Sequence, residues 1–267
     1  MRRVLIAVVG VIALAAGLWQ LRDGLGELGG PNSNPRIAAA SAAAQKAADD
    51  FTTRAKDANS SGQPPRASDP AIQALLSPIF DTAVIRREPP GFEDLGAINE
   101  WLNAVLKVVT IYTLAGTNVT DIAHGADDPS IGTRIEQNVV DYAPEYGSGI
   151  DAQLSLIQAE TELVTTKLGT DPAKIADEQR RQGFEKLRAG LNKTIGGTLA
   201  VIAIPDLDES WRLARVTALE AIAPKAAPLL VPDDARRLHD MALELAEADT
   251  DPQVQAGLKR FAAAFPA

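Results

Sequence analysis

"IDAQLSLIQAETELVTTKL", residues 150–168, decides how this chain folds. Its Ile150, Leu154, Ile157, Thr161, Val164 and Leu168 step by 4, 3, 4, 3 and 4 residues, which traces one face of a helix. Phe184, Leu187, Leu191, Ile195, Leu199 and Ile202 do nearly the same further on. Gly196-Gly197 interrupts that second pattern and predicts a kink or a close approach to a neighbour. "WLNAVLKVVTIYTLAG", residues 101–116, is apolar almost all round, as a central buried helix would be. Lys107 and Asn103 within it argue against a membrane span.

Start signals agree with a helical body. Asp69-Pro70, Asp128-Pro129, Asp171-Pro172 and Asp251-Pro252 each set a capping carboxylate before a proline at the first helical position. Asp206 to Glu209 supply the same dipole-matched charge before the next apolar pattern. From Asp69 onward no alternating β-branched run is bounded by turn pairs, so strands are not expected. The last part reads as three short helices, at roughly 207–223, 232–248 and 251–265. Overlaying Leu219 and Ile222 on Leu258 and Phe261 puts Arg215 on Val254, so no repeat is read there.

The N-terminus is of another kind. Arg2 and Arg3 precede an uncharged apolar run of 16 residues, Val4 to Trp19. Val4, Leu5, Ile6, Val8 and Val9, then Val11, Ile12, Leu14, Leu18 and Trp19, carry its hydrophobicity. As a helix it would be about 24 Å long, somewhat short of the roughly 30 Å bilayer core. Ala13-Leu14-Ala15 and Ala15-Ala16-Gly17 offer small residues at the positions a signal peptidase reads. The apolar run continues past both and ends in the interfacial Trp19, which favours a retained signal anchor over a cleaved signal peptide. Positive charge before the run and mixed charge after it (Arg22 against Asp23 and Glu27) predict a cytoplasmic N-terminus with the body outside. In a bacterium that means an inner-membrane anchor with a periplasmic body, or a periplasmic or secreted protein if the segment is cleaved.

Between anchor and body, "DGLGELGGPNSNP" cannot hold regular structure, and an Ala-rich helix follows from Pro35. Ile37, Ala44 and Phe51 recur every 7 residues along it, with Ala40, Ser41, Ala47 and Ala48 between them. Alanine methyls bury little area, so this helix reads as a solvated spacer first and as a contact between copies second. "NSSGQPPRASDP" then breaks it as a semi-extended linker. The expected organisation is residues 1–22 as anchor, 23–68 as linkers and stalk helix, and 69–267 as an acidic all-α domain of about seven to nine helices.

Charge and composition exclude several functions. Residues 1–68 hold 8 basic and 5 acidic residues, net +3, whereas the remainder holds 18 and 30, net −12. An acidic body does not bind a phosphate backbone, so nucleic acid is not expected as a partner. With no cysteine there is no disulfide, thiolate metal site or cysteine nucleophile. No Gly-rich phosphate loop, G-x-S-x-G, H-E-x-x-H or S-x-x-K occurs in the body, and no cofactor is called for.

The remaining candidates are few. His124 with Asp127 and Asp128 in "DIAHGADDPS" could form a metal or acid/base site, although Asp128-Pro129 and Gly125 also suit helix ends. His239, among Arg236, Arg237, Asp240 and Glu244, reads as part of an exposed helix face. Glu160 with Glu162 is one of several carboxylate pairs without catalytic spacing. Tyr142 and Tyr146, in "VVDYAPEYGSG", are aromatics at a helix end, where recognition anchors often lie, although capping the core at a chain turn accounts for them as well. The expectation is a tethered interaction or scaffold protein, an accessory subunit of an envelope complex, with no enzymatic activity. The alternative is a periplasmic enzyme or small-ligand-binding protein whose site is assembled from scattered residues.

Overall fold

Aspartate caps start helices at Asp69 and Asp251, where an Asp-Pro pair predicts them. In the computed structural model, which describes residues 33–58, 63–117 and 129–265, Asp69 Oδ1 accepts from the Ala71 amide at 2.8 Å and opens helix α2 (Pro70–Phe80). It follows α1 (Pro35–Ala58) and precedes a single turn, α3 (Ala83–Arg87). A 3₁₀ turn at Phe92–Asp94 leads into α4 (Leu95–Thr113). Next come α5 (Pro129–Asp141) and the long α6 (Ala143–Leu168). Asp171 caps only a 3₁₀ turn, Pro172–Lys174, and Asp177 opens α7 (Glu178–Ile202) instead, accepting from Arg180 N at 2.8 Å. Asp208 opens α8 (Glu209–Ala226), Pro232 begins α9 (Pro232–Ala248), and Asp251 caps α10 (Pro252–Ala263) through the amides of Gln253 and Val254. The described residues thus form nine helices of 11 residues or more and one of 5, with no strand among them.

Helix α4 lies at the centre, with α1 on one side and α6 on another. Its Leu95, Ile98, Trp101, Val105, Val108 and Tyr112 are all buried, as an all-round apolar helix requires. Both periodic faces are buried too, except Leu168 at the end of α6, which is half-buried. Helix α7 runs unbroken through Gly196-Gly197. A Cβ on Gly196 would sit 3.6 Å from Leu238 of α9, an ordinary contact, so Gly196 marks no unusually tight crossing. The last helix, α10, packs on both α8 and α9, and Leu219, Ile222, Leu258 and Phe261 share that core.

Helix α1 corrects the sequence reading. The stripe Ile37, Ser41, Ala44, Ala48 and Phe51 is buried against α4 and α2, so α1 is not a solvated spacer and the packing has no boundary at residue 68. The Ser41 hydroxyl donates to the Ala97 carbonyl at 2.7 Å, and Lys107 of α4 pairs with Asp49. Alanine buries little area per methyl group. Its size is what lets two helices approach closely, and the partner it meets is α4 of the same chain rather than a second copy.

A glycine sets the crossing of α4 and α6. A Cβ at Gly149 would fall 2.4 Å from Val109 Cγ2, a branched core side chain with nowhere to move. Gly149→Ala gains about 1 kcal/mol of helix propensity but overpacks at about 1–3 kcal/mol, so a net loss is expected in urea denaturation. Adding Val109→Ala should recover much of the overpacking component if the clash is the cause.

Candidate functional site

Helix α6 is enclosed on three sides and open along the fourth. Two grooves run beside it and meet at Asp151, which lines both. The first, about 770 Å³, lies between α6, α8 and residues 89–91. Its floor is apolar, with Ile85, Leu154, Leu163 and Ile222, while Ala159 and Ala218 leave it room. Ser155, Gln158 and Glu162 line it as well, and Glu162 pairs with Lys225 of α8. The second, about 800 Å³, lies between α2, the start of α6 and residues 66–68, and is lined by Asp81, Asp141, Glu145 and Asp151.

The junction is built by α8. Trp211 Nε1 donates to the Ala143 carbonyl at 2.7 Å, and the Arg215 guanidinium lies 4.4 Å from the Trp211 ring centroid. Arg215 then pairs with Asp151 at 2.7 Å. Gly147 permits this, because a Cβ there would fall 2.4 Å from Arg215 Nη2 and 2.6 Å from Trp211 Nε1. A second pair, Arg212 with Asp249, is buried and ties the start of α8 to the α9–α10 connection.

Behind the grooves, α6 and α7 enclose a polar layer. Gln153 Nε2 lies 3.5 Å from Thr194 Oγ1, and Thr198 Oγ1 donates to the Thr194 carbonyl at 2.9 Å. Glu160 is fully buried, and neither carboxyl oxygen has a hydrogen-bond partner among the described residues. Burial alone pushes its pKa up to about 8, so it is a neutral acid at pH 7. Two residues apart on a helix means nearly opposite faces, so Glu160 and Glu162 are no pair: one is buried and the other lines the groove.

The residues singled out from sequence fare differently. His124, Asp127 and Asp128 lie outside the described residues, as do the anchor positions from Val4 to Trp19. Among the described residues, no three His, Asp or Glu side chains are placed to hold one metal ion. No described helix is long and apolar enough to cross a membrane. Tyr142 and Tyr146 are core residues, 2% and 1% exposed, and not an interaction surface. Tyr142 stacks between Tyr112, 5.1 Å away, and Arg66, 4.6 Å away, and burial pushes the Tyr146 phenol up to about 12. His239 is half-buried, with Nδ1 3.0 Å from the Ala262 carbonyl, so it fastens α9 to α10 instead of facing solvent.

Sequence reasoning missed Asp151, Arg215 and Glu145, and it took Glu160 only as one of a carboxylate pair with Glu162 and not as a buried acid. Only Glu160 left a usable signal: it follows Gln153 by 7 residues, beside the buried face of an otherwise periodic helix. The arrangement offers an open, grooved surface suited to holding a ligand or chain segment. Comparison with protein-family models, curated proteins and solved structures finds no match to this chain.

Proposed function

We propose that this chain is a membrane-tethered, extracytoplasmic interaction protein, an accessory or scaffold subunit of an envelope complex. The observation that carries the reading is the pair of joined grooves along α6, together about as long as one face of that helix and open to solvent. An apolar floor with polar residues around it is the composition of a surface that receives another chain. The tether is supported by Arg2-Arg3 and the apolar run to Trp19. With α1 packed into the body, residues 23–34 join anchor to domain, a reach of at most about 40 Å. The partner is then one that lies close to the same membrane.

The test has two stages. Intact mass and carbonate extraction of the native protein should return a full-length chain in the membrane pellet. A photo-crosslinking residue at Gln158 should then capture a discrete partner that the same residue at exposed Lys259 does not. A soluble chain beginning near Ala16 or Leu18, with no product from Gln158, would overturn the proposal. The second reading, a periplasmic enzyme or small-ligand-binding protein, draws on the groove volumes, which fall in the range of ligand sites. Turnover of a substrate by the purified monomer would favour it.

A further inference from the structure

The chain enters the body at the wall of the groove between α6 and α8. Asn34 donates through Nδ2 to Glu88 at 3.1 Å and through its backbone amide to Asp94 at 2.6 Å. Asp94 in turn accepts the Gly91 amide at 2.7 Å, and Pro89, Pro90 and Gly91 line that groove. Residues 1–32 lie outside the described residues, and the stretch before Ser33 is therefore joined to the body beside the groove.

The apolar lining can be reached from outside. Leu163, Pro90 and Ala218 are half-buried and Ala221 is exposed. The charges around it leave a positive remainder. Asp151 is paired with Arg215 and Glu162 with Lys225. Arg86 and Lys167 also line the groove, and these two exposed cations have no ion-pair partner among the described residues. Asp23-Gly24-Leu25-Gly26-Glu27-Leu28 carries the complementary pattern of two acids, two leucines and no base. The chain from Leu28 to Asn34 reaches at most about 21 Å, and from Asp23 at most about 38 Å. The groove follows α6 from Asp151 to Lys167, about 24 Å at 1.5 Å per residue, so the segment is long enough to lie along it. Because the segment is joined to the groove wall, its effective concentration there is on the order of millimolar, and a few contacts suffice to hold it.

We infer that residues 23–28 occupy this groove within the same chain, with Leu25 and Leu28 on its apolar lining and Asp23 and Glu27 towards Arg86 and Lys167. The segment follows both positions at which a signal peptidase could cut, so the inference does not rest on the tether. It gives the groove an occupant that a partner chain must displace.

The chain has no cysteine, so a pair of introduced thiols reports on one contact. Full-length protein in a nonionic detergent, carrying Gly26→Cys with Gln158→Cys in the groove, is mildly oxidised at low concentration and the disulfide is followed by intact mass. The control, Gly26→Cys with Arg87→Cys, puts the second thiol at an exposed position next to Glu88, within the same reach but outside the groove. The intrachain disulfide is expected to form at least about tenfold faster in the groove pair than in the control. Adding Leu25→Asp/Leu28→Asp should lower it to the control rate. The exposed pair Arg86→Glu/Lys167→Glu, which leaves the core intact, should slow it several-fold. Equal rates in the two pairs overturn the inference, as does a groove pair indifferent to either set of substitutions. A product of twice the mass whose yield rises with protein concentration would give the groove to a second copy and overturns it too. A partner captured from Gln158 while the intrachain disulfide fails would remove this occupant and leave the interaction reading standing.

Discussion

Glu160→Gln is expected to make the folded protein more stable relative to the wild type as pH rises. The sign follows from linkage. An unfolded glutamate ionises near 4.5, whereas the buried carboxyl holds its proton to about 8. Between those values the unfolded chain is ionised and the folded chain is not, so wild-type stability falls as pH rises and levels off above about 8. By pH 7 the accumulated penalty is about 3 kcal/mol, a large share of a typical domain's stability. Glutamine does not titrate, so the difference between the two proteins should widen by about 3 kcal/mol between pH 5 and pH 8 in urea denaturation. The amide itself buries unsatisfied donors, but that cost is the same at every pH and cancels in the comparison. A difference that stays flat with pH would mean that the Glu160 carboxyl reaches water.

Phe51→Ala is expected to cost about 3–5 kcal/mol, the range for deleting a buried aromatic ring. Phe51 is fully buried on α1 and its ring lies 5.4 Å from that of Tyr112 on α4. Were α1 a solvated spacer, the same change would fall within about 0.5 kcal/mol of zero. Arg54→Ala, at an exposed position on the same helix, is the control and should change little. The comparison decides whether α1 belongs to the folding unit. It therefore decides how far the body stands from the membrane in the proposed arrangement, since a packed α1 contributes no length to the tether.

Helix α6 divides what was legible from what was not. Its buried face from Ile150 to Val164 could be read directly, because a hydrophobic stripe at period 3.6 is a local property of the chain. The caps at Asp69, Asp208 and Asp251 were legible for the same reason: a side-chain oxygen reaches an amide two or three residues away and needs no tertiary partner. Asp171 shows the limit of that reading, since a local cap starts a turn and only propagation makes it a helix.

The candidate site depended on contacts far apart in the chain. Asp151 meets Arg215 across 64 residues, and Glu145 takes its one donor from Ala67 across 78. No spacing rule connects residues at such distances, so the grooves could not be read from sequence. The same holds for burial. Tyr142 and Tyr146 lie at a helix end and Glu160 beside the apolar stripe, and their burial comes from α4, α7 and α8, which enclose that helix from several sides.

By itself, the sequence determined a helical, acidic, cysteine-free body behind a basic and apolar N-terminal run, since composition, capping and periodicity act within a few turns of chain. Only the tertiary structure decided that the Ala-rich helix belongs to the core, that Glu160 is a buried neutral acid, and that the open face of α6 is grooved. Each of these depends on which helices approach one another, and small residues such as Ala44 and Gly149 set that approach without announcing their partners.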